Sequence, residues 1–205
     1  MMKRVLFPAW LFGCVLMLGI TPAQAKIDAL IVAGGCFWCV ESDFEKHSGV
    51  LEVISGYIGG TVKNPSYEQV ASKRTGHYEA VKIIFEDEQV SLDTLLDYYW
   101  KTIDPTDAAG QFCDKGSPYR TAIFYRNEAQ KVAAARSLQR INMEKRFANP
   151  VVTRLLPIKP FYTAEGYHQD YYRKNPLRYN YYRLACGRDK RVEQLWGEVV
   201  SQQPH

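Results

Sequence analysis

Ala29-Leu30-Ile31-Val32-Ala33-Gly34-Gly35-Cys36-Phe37-Trp38-Cys39-Val40-Glu41-Ser42-Asp43-Phe44-Glu45-Lys46 changes its periodicity in the middle. The first five residues form a short, continuous apolar run ending at two glycines, which predicts a buried strand. From Phe37 onward, Phe37, Val40 and Phe44 recur at helical spacing, while Glu41, Asp43, Glu45 and Lys46 face outward. The stretch therefore predicts strand, tight turn and helix, with Cys36 at the turn. Two glycines permit a close backbone approach there. A thiol at a helix start meets unpaired amides and the positive end of the helix dipole, so Cys36 is expected to ionise more easily than a free cysteine. An inert cysteine in a buried turn is the plainer alternative. The glycine pair, and Cys39 one turn later, weigh against it.

Working outward, residues 50–57 predict a second strand, closed by Gly59-Gly60. Residues 61–76 are polar and rich in turn formers, and residues 78–86 alternate as a strand does. Ser91 is a suitable N-cap for a helix reaching residue 103. A long loop over 104–118 carries Cys113. Next come a strand over 121–125, a helix over 128–146 and a strand over 151–156. Residues 161–180 are rich in tyrosine and fit no element clearly, whereas 191–200 predict a final docked helix. Several connections are too short for parallel crossovers. The expected fold is α+β: a two-layer α/β plait of the ferredoxin-like kind, with a mixed, largely antiparallel sheet and helices on one side.

The first 25 residues stand apart. Lys3 and Arg4 precede an apolar run over 5–20, and Ala23-Gln24-Ala25 has the small-x-small form of a signal-peptidase site. Cleavage after Ala25 is expected, leaving 26–205 as one catalytic domain in an exported, periplasmic protein. Leu11-Phe12-Gly13-Cys14 resembles a lipoprotein signal, but cutting there would leave an exposed apolar start at residues 15–20. No stable membrane association is expected, since the apolar run is short for a span. The formal charge of +4 includes the two basic residues of the leader, and the late basic residues are spread out, so no nucleic-acid partner is expected. Past the leader the cysteines are Cys36, Cys39, Cys113 and Cys186. In an oxidising compartment they could be structural disulfides or redox centres. No Cys/His set has the spacing of a closed metal site, and no cofactor is expected.

Beyond Gly35-Cys36-Phe37-Trp38, the chain contains Gly56-Tyr57-Ile58-Gly59-Gly60, Asn64-Pro65-Ser66-Tyr67 and Gly76-His77-Tyr78-Glu79-Ala80-Val81. Asp114-Lys115-Gly116-Ser117-Pro118-Tyr119-Arg120 and Tyr167-His168-Gln169 follow. In this order the set resembles the peptide methionine sulfoxide reductase A family, which acts on the S epimer of the sulfoxide. The resemblance spans most of the chain after the leader. It implies that Cys36 attacks the sulfoxide sulfur and becomes a sulfenic acid, which a second cysteine condenses into a disulfide. A thioredoxin-like reductant then restores the thiols.

A sulfoxide oxygen leaves poorly unless protonated, so the reaction needs a soft nucleophile and a positioned acid. On the strand from Tyr78, Glu79 shares a face with Val81, Ile83 and Phe85. A carboxyl on that face loses hydration and is expected to stay protonated near neutral pH. Position alone would favour a solvated glutamate; the match to the family's acid reverses this. The resemblance also implies that Tyr67 and Tyr119 hydrogen-bond the sulfoxide oxygen, that Asp114 supports the site, and that Phe37 and Trp38 form the wall for the S-methyl group. His77 and His168 are expected to be structural. Many family members have glycine where this chain has Cys39. As resolving thiol Cys39 ranks first, Cys186 second and Cys113 third.

Two other classes fit parts of the pattern. Cys36-Phe37-Trp38-Cys39 is a C-x-x-C near a strand–helix junction, as in thioredoxin-like thiol–disulfide oxidoreductases, although there the tryptophan normally precedes the first cysteine. A non-enzymatic envelope protein with two structural disulfides is the third. By the resemblance, the expected substrate is methionine sulfoxide, free or in proteins.

Overall fold

In the computed structural model, which describes residues 26–197, the opening stretch forms β1 (Ile27–Gly34) and α1 (Phe37–Phe44), with Cys36 as N-cap. The expected leader lies outside the described residues. Next come β2 (Val50–Ile58), α2 (Tyr67–Ala71), β3 (Tyr78–Glu86) and α3 (Leu92–Trp100). Ser91 caps α3 as expected, accepting from the Thr94 N–H at 3.1 Å. A short hairpin, β4 (Gly110–Gln111) and β5 (Asp114–Lys115), precedes a 3-10 turn at Ser117–Tyr119. β6 (Thr121–Tyr125), α4 (Glu128–Met143), β7 (Arg154–Pro157) and β8 (Phe161–Thr163) follow. The chain closes with α5 (Tyr171–Lys174), α6 (Pro176–Ala185) and α7 (Arg188–Trp196).

The fold is α+β. Its main sheet has the order β7-β6-β1-β3-β2-β8. Four of its strand pairs are antiparallel, and only β6 and β7 run parallel, so the sheet is mixed and largely antiparallel. One face carries Leu30, Val32, Val53, Val81, Ile83, Phe85 and Ile123 into the larger core. Side chains of α1, α3, α4 and α7 complete that core, including Phe44, Leu95, Trp100, Ala134 and Trp196. The opposite face buries Ile31, Ala33, Tyr78, Ala80, Ala122 and Phe124 in a smaller cluster of strand residues. Alternation along β1 and β3 therefore sorts the two faces, and the helices lie against one of them. No helix of the described residues is long and apolar enough to cross a membrane.

Several boundaries differ from expectation. Residues 61–76 contain α2, announced by a capping box: Ser66 Oγ accepts from the Gln69 N–H, and the Gln69 side chain accepts from the Ser66 N–H. The strand expected over 151–156 starts later, at Arg154, because its pairing with β6 begins at Ala122–Arg154. The helix expected over 128–146 ends at Met143. The final helix begins at Arg188, three residues before the expected start, and its expected end falls outside the described residues.

Gly35 is the tight point of the fold. Its φ is +86°, and a Cβ there would lie 2.6 Å from Gln111 Cβ, which is itself buried. Gly35→Ala is therefore expected to destabilise the protein by about 2 kcal/mol or more, from the left-handed backbone and the clash together. Urea denaturation measures it, and an unchanged midpoint would contradict this packing.

Candidate active site

β3 brings an acid to the thiol. Glu79 pairs with Tyr57 of β2, and it lies two residues beyond the Val32–Val81 pair, beside the end of β1. Its side chain points to the helix-covered face and is 2% exposed. The Phe37 N–H, first in α1, donates to Glu79 Oε2 at 3.1 Å. Because Phe37 follows Cys36, the buried carboxyl and the thiol are neighbours at one helix start. Burial pushes the Glu79 carboxyl up to about 8. The Phe37 N–H works against that rise, whereas charges on Asp114 and Cys39 add to it.

Among the described residues the free cysteines are Cys36 and Cys39, which are 7% and 2% exposed and hydrogen-bond to each other. Burial pushes the Cys36 thiol well up, and the charges of Cys39, Glu79 and Asp114 push it further. Cys39 moves down instead, first through the hydrogen bond from Cys36 and then through the nearby guanidiniums of Arg188 and Arg183. This corrects the expectation that the helix start makes Cys36 the readily ionised thiol. The helix start is present, but burial and neighbouring carboxyls outweigh it at Cys36.

Tyrosines surround this pair. The Tyr67 N–H donates to Glu165 Oε1 at 2.8 Å, and Tyr57 Oη donates to Glu165 Oε2 at 2.8 Å. Burial, then the charges of Glu79, Cys36 and Asp114, raises the Tyr67 phenol to about 12. The Tyr119 phenol is also raised, by burial and by Glu79, Tyr67, Asp114 and Cys36. Both phenols thus sense the same charges and remain neutral donors. Asp114 accepts a hydrogen bond from Tyr182 Oη, and burial raises its carboxyl.

The peptide methionine sulfoxide reductase pattern matches residues 28–200. The chain belongs to that family. It is 50% identical over 172 residues to the peptide methionine sulfoxide reductase MsrA of Bacillus subtilis, covering 84% of this chain and 97% of that protein. Identity to MsrA/MsrB of Vibrio cholerae is 48% over 178 residues, covering 87% of this chain but only 47% of that longer protein. Among solved structures it resembles reduced Mxr1 of Saccharomyces cerevisiae, with TM-score 0.69 and 30% identity over 74% of this chain and 87% of that one. Methionine sulfoxide reductase A of Corynebacterium diphtheriae gives TM-score 0.66 and 28% identity over 79% and 81%. The reaction of this reductase is the reduction of methionine sulfoxide, and the thioredoxin-like alternative falls away.

The remaining expected residues are placed as follows in the reductase. Phe37 lies within the larger core, its ring 5.9 Å from that of Tyr57 and 4.9 Å from that of His168. Trp38 is half-buried and stacks on Tyr171, with ring centroids 3.7 Å apart. Its Nε1–H donates to His168 Nδ1 at 3.0 Å, so His168 fixes the indole. His77 braces a turn: its Nδ1 accepts from the Gly60 N–H at 3.2 Å, and its Nε2 lies 2.8 Å from Val62 O. Cys186 and Cys113, the second and third candidates for resolving thiol, form a disulfide with each other instead. Cys113, Asp114 and Cys186 offer donor atoms within 4.8 Å of one another, but both sulfurs are taken up in that bond.

Sequence reasoning missed Tyr182, Tyr171, Glu165, Arg183 and Arg188. Only Glu165, three residues before His168 in a region of family likeness, carried a usable local signal.

Glu79 also leaves a mark on stability. An acid whose folded value of about 8 exceeds the ordinary 4.5 favours folding only while protonated. Stability should therefore fall as pH rises from about 5 to about 8 and level off above that. In Glu79→Gln that slope should be absent. Denaturation midpoints measured at half-unit pH steps for both proteins check this.

Proposed function

We propose that the protein is an exported peptide-methionine (S)-S-oxide reductase in which Cys36 attacks the sulfoxide sulfur while Glu79 protonates its oxygen. The observation that carries this reading is the Phe37 N–H to Glu79 hydrogen bond of 3.1 Å, which sets a neutral acid beside the thiol. With Oε2 held by that amide, Oε1 is left to carry the proton.

The two thiols adjoin each other, with Cys36 pushed up by burial and Cys39 pulled down by its hydrogen bond with Cys36 and by the arginines. Cys36 attacks as thiolate, and the proton it gives up balances the one that Glu79 delivers to the sulfoxide oxygen. Oxygen passes from the substrate sulfur to Cys36, so the sulfoxide is reduced by two electrons and Cys36 is oxidised to the sulfenic acid. Tyr67 and Tyr119 steady the oxygen as its charge changes, each as a neutral donor. Trp38, braced by His168 and Tyr171, offers the flat apolar wall for the S-methyl group, with Phe37 behind it. Asp114, anchored by Tyr182, supports the far side. Cys39 then attacks the sulfenic sulfur, water leaves, and a Cys36–Cys39 disulfide remains. Cys39 takes this role because it is the free thiol one helical turn away.

A thioredoxin-like dithiol protein returns the pair to thiols; a relative, yeast Mxr1, has been seen in complex with Trx2. Export to the periplasm, with cleavage after Ala25, is supported by the leader pattern and by the start of β1 at Ile27. The stretch 26–205 then acts as one catalytic domain. The ferredoxin-like plait is supported by the central order β6-β1-β3-β2 with every neighbour antiparallel, the arrangement of a split β-α-β unit.

Cys36→Ser is expected to abolish methionine formation, and Glu79→Gln to slow it by about 10²- to 10⁴-fold with dithiothreitol as reductant. Because Glu79 must be protonated to act, wild-type turnover should fall as pH rises through about 8. Chromatographic assay of methionine from each sulfoxide epimer checks these points, with the S epimer consumed and the R epimer spared. Full activity in Glu79→Gln would overturn the acid role.

A further inference from the structure

The surroundings of the two catalytic sulfurs differ: carboxyls act on Cys36, whereas two guanidiniums as well as the Asp43 carboxylate act on Cys39. Cys36 faces the carboxyls of Glu79 and Asp114, whereas two arginines stand behind Cys39. Arg188, 2% exposed, reaches from α7 under the turn, donating to Gly34 O at 3.1 Å and to Thr102 O at 2.9 Å. Its Nε lies 3.6 Å from Asp43 Oδ2, and Asp43 sits one turn beyond Cys39 on the same face of α1. Arg183 approaches the other oxygen of Asp43 at 2.7 Å and donates to Tyr179 Oη at 2.9 Å. Tyr179 packs in one cluster with Cys36 and Cys39.

In thiol–disulfide exchange, the sulfur whose thiolate is better stabilised leaves faster, and the more accessible one is attacked. Here the two criteria agree. Cys36 is the more exposed residue, 7% against 2%, and both guanidiniums meet the Asp43 carboxylate one turn beyond Cys39. We propose that the external reductant enters the oxidised site at Cys36 and expels Cys39, with Arg183 and Arg188 holding Cys39 as the leaving thiolate. The inference rests on Cys39 being the resolving cysteine.

The exchange balances. A thiolate of the dithiol reductant forms a bond to Cys36 Sγ, the Cys36–Cys39 bond breaks, and its electron pair departs on Cys39. The second thiol of the reductant then attacks its own linked sulfur and releases Cys36. The reductant leaves as a disulfide, and its two protons end on the enzyme thiols. Arg183 and Arg188 touch neither substrate nor reductant; they are positioning residues.

The test starts from enzyme oxidised with methionine S-sulfoxide and mixes it with a thioredoxin whose second active-site cysteine is serine, so that the mixed disulfide persists. After alkylation of freed thiols, fragment-ion mass spectrometry of the peptide spanning residues 27–46 locates the link. Thioredoxin on Cys36 with alkylated Cys39 is expected. Linkage to Cys39, Cys113 or Cys186 overturns the inference alone. Failure of the sulfoxide to generate a Cys36–Cys39 disulfide overturns the resolving role of Cys39, and this inference with it. Arg183→Gln and Arg188→Lys supply the second readout. In Arg183→Gln, reduction of the preformed disulfide by thioredoxin should slow by about tenfold, with a higher midpoint for thiolate absorbance at 240 nm. Arg188→Lys, which keeps the charge, should lose much less. Reduction at the wild-type rate in Arg183→Gln would remove Arg183 from the proposal.

Discussion

One hydrogen bond, from the Phe37 amide to the Glu79 carboxyl, joins the start of α1 to the middle of the sheet. Its existence depends on register. β1 and β3 pair so that Val32 meets Val81, which carries Glu79 to the end of β1 on the helix-covered face. A slip of one residue would turn Glu79 to the opposite face and remove it from the thiol altogether. The register is held by the apolar residues that alternate on either side of it. Leu30, Val32, Val81 and Ile83 point one way, and Ile31, Ala33, Tyr78 and Ala80 the other. The packing that stabilises the fold is thus the same packing that dehydrates the acid.

Elements with strong local patterns were legible in the chain. Strand, turn and helix around Cys36, the alternation that places Glu79, and the Ser91 cap all depend on neighbours within a few residues. The tyrosine-rich stretch was not legible, because its contacts are distant in sequence. Trp38 meets His168 across 130 positions, and Tyr182 meets Asp114 across 68. α6 also leaves Leu177, Tyr181 and Leu184 exposed, so its apolar spacing does not point to the core. Asp170 starts α5 from a left-handed conformation, with φ of +53°, which no capping rule anticipates.

The thiol acidities show why spacing is insufficient for electrostatics. A helix start favours a negative charge at Cys36, and sequence reveals the helix start. It does not reveal that the sulfur is buried, that two carboxyls face it, or that Arg183 and Arg188 return from the other end of the chain to stand by Cys39. The abundance of tyrosine likewise admits core-edge packing or pocket walls. The fold uses both: Tyr99 Oη donates to Ala33 O at 2.7 Å inside the core, while Tyr67, Tyr119 and Tyr182 gather around the cysteines.

The Cys113–Cys186 bond joins residues 73 positions apart, and this bears on how the chain matures. Among the cysteines that follow residue 25, Cys36 and Cys39 emerge first, Cys113 next and its native partner last. Until Cys186 appears, the other cysteines after residue 25 that Cys113 can meet are the reactive pair. Correct maturation therefore requires either that oxidation wait for the finished chain or that an isomerase undo early pairings.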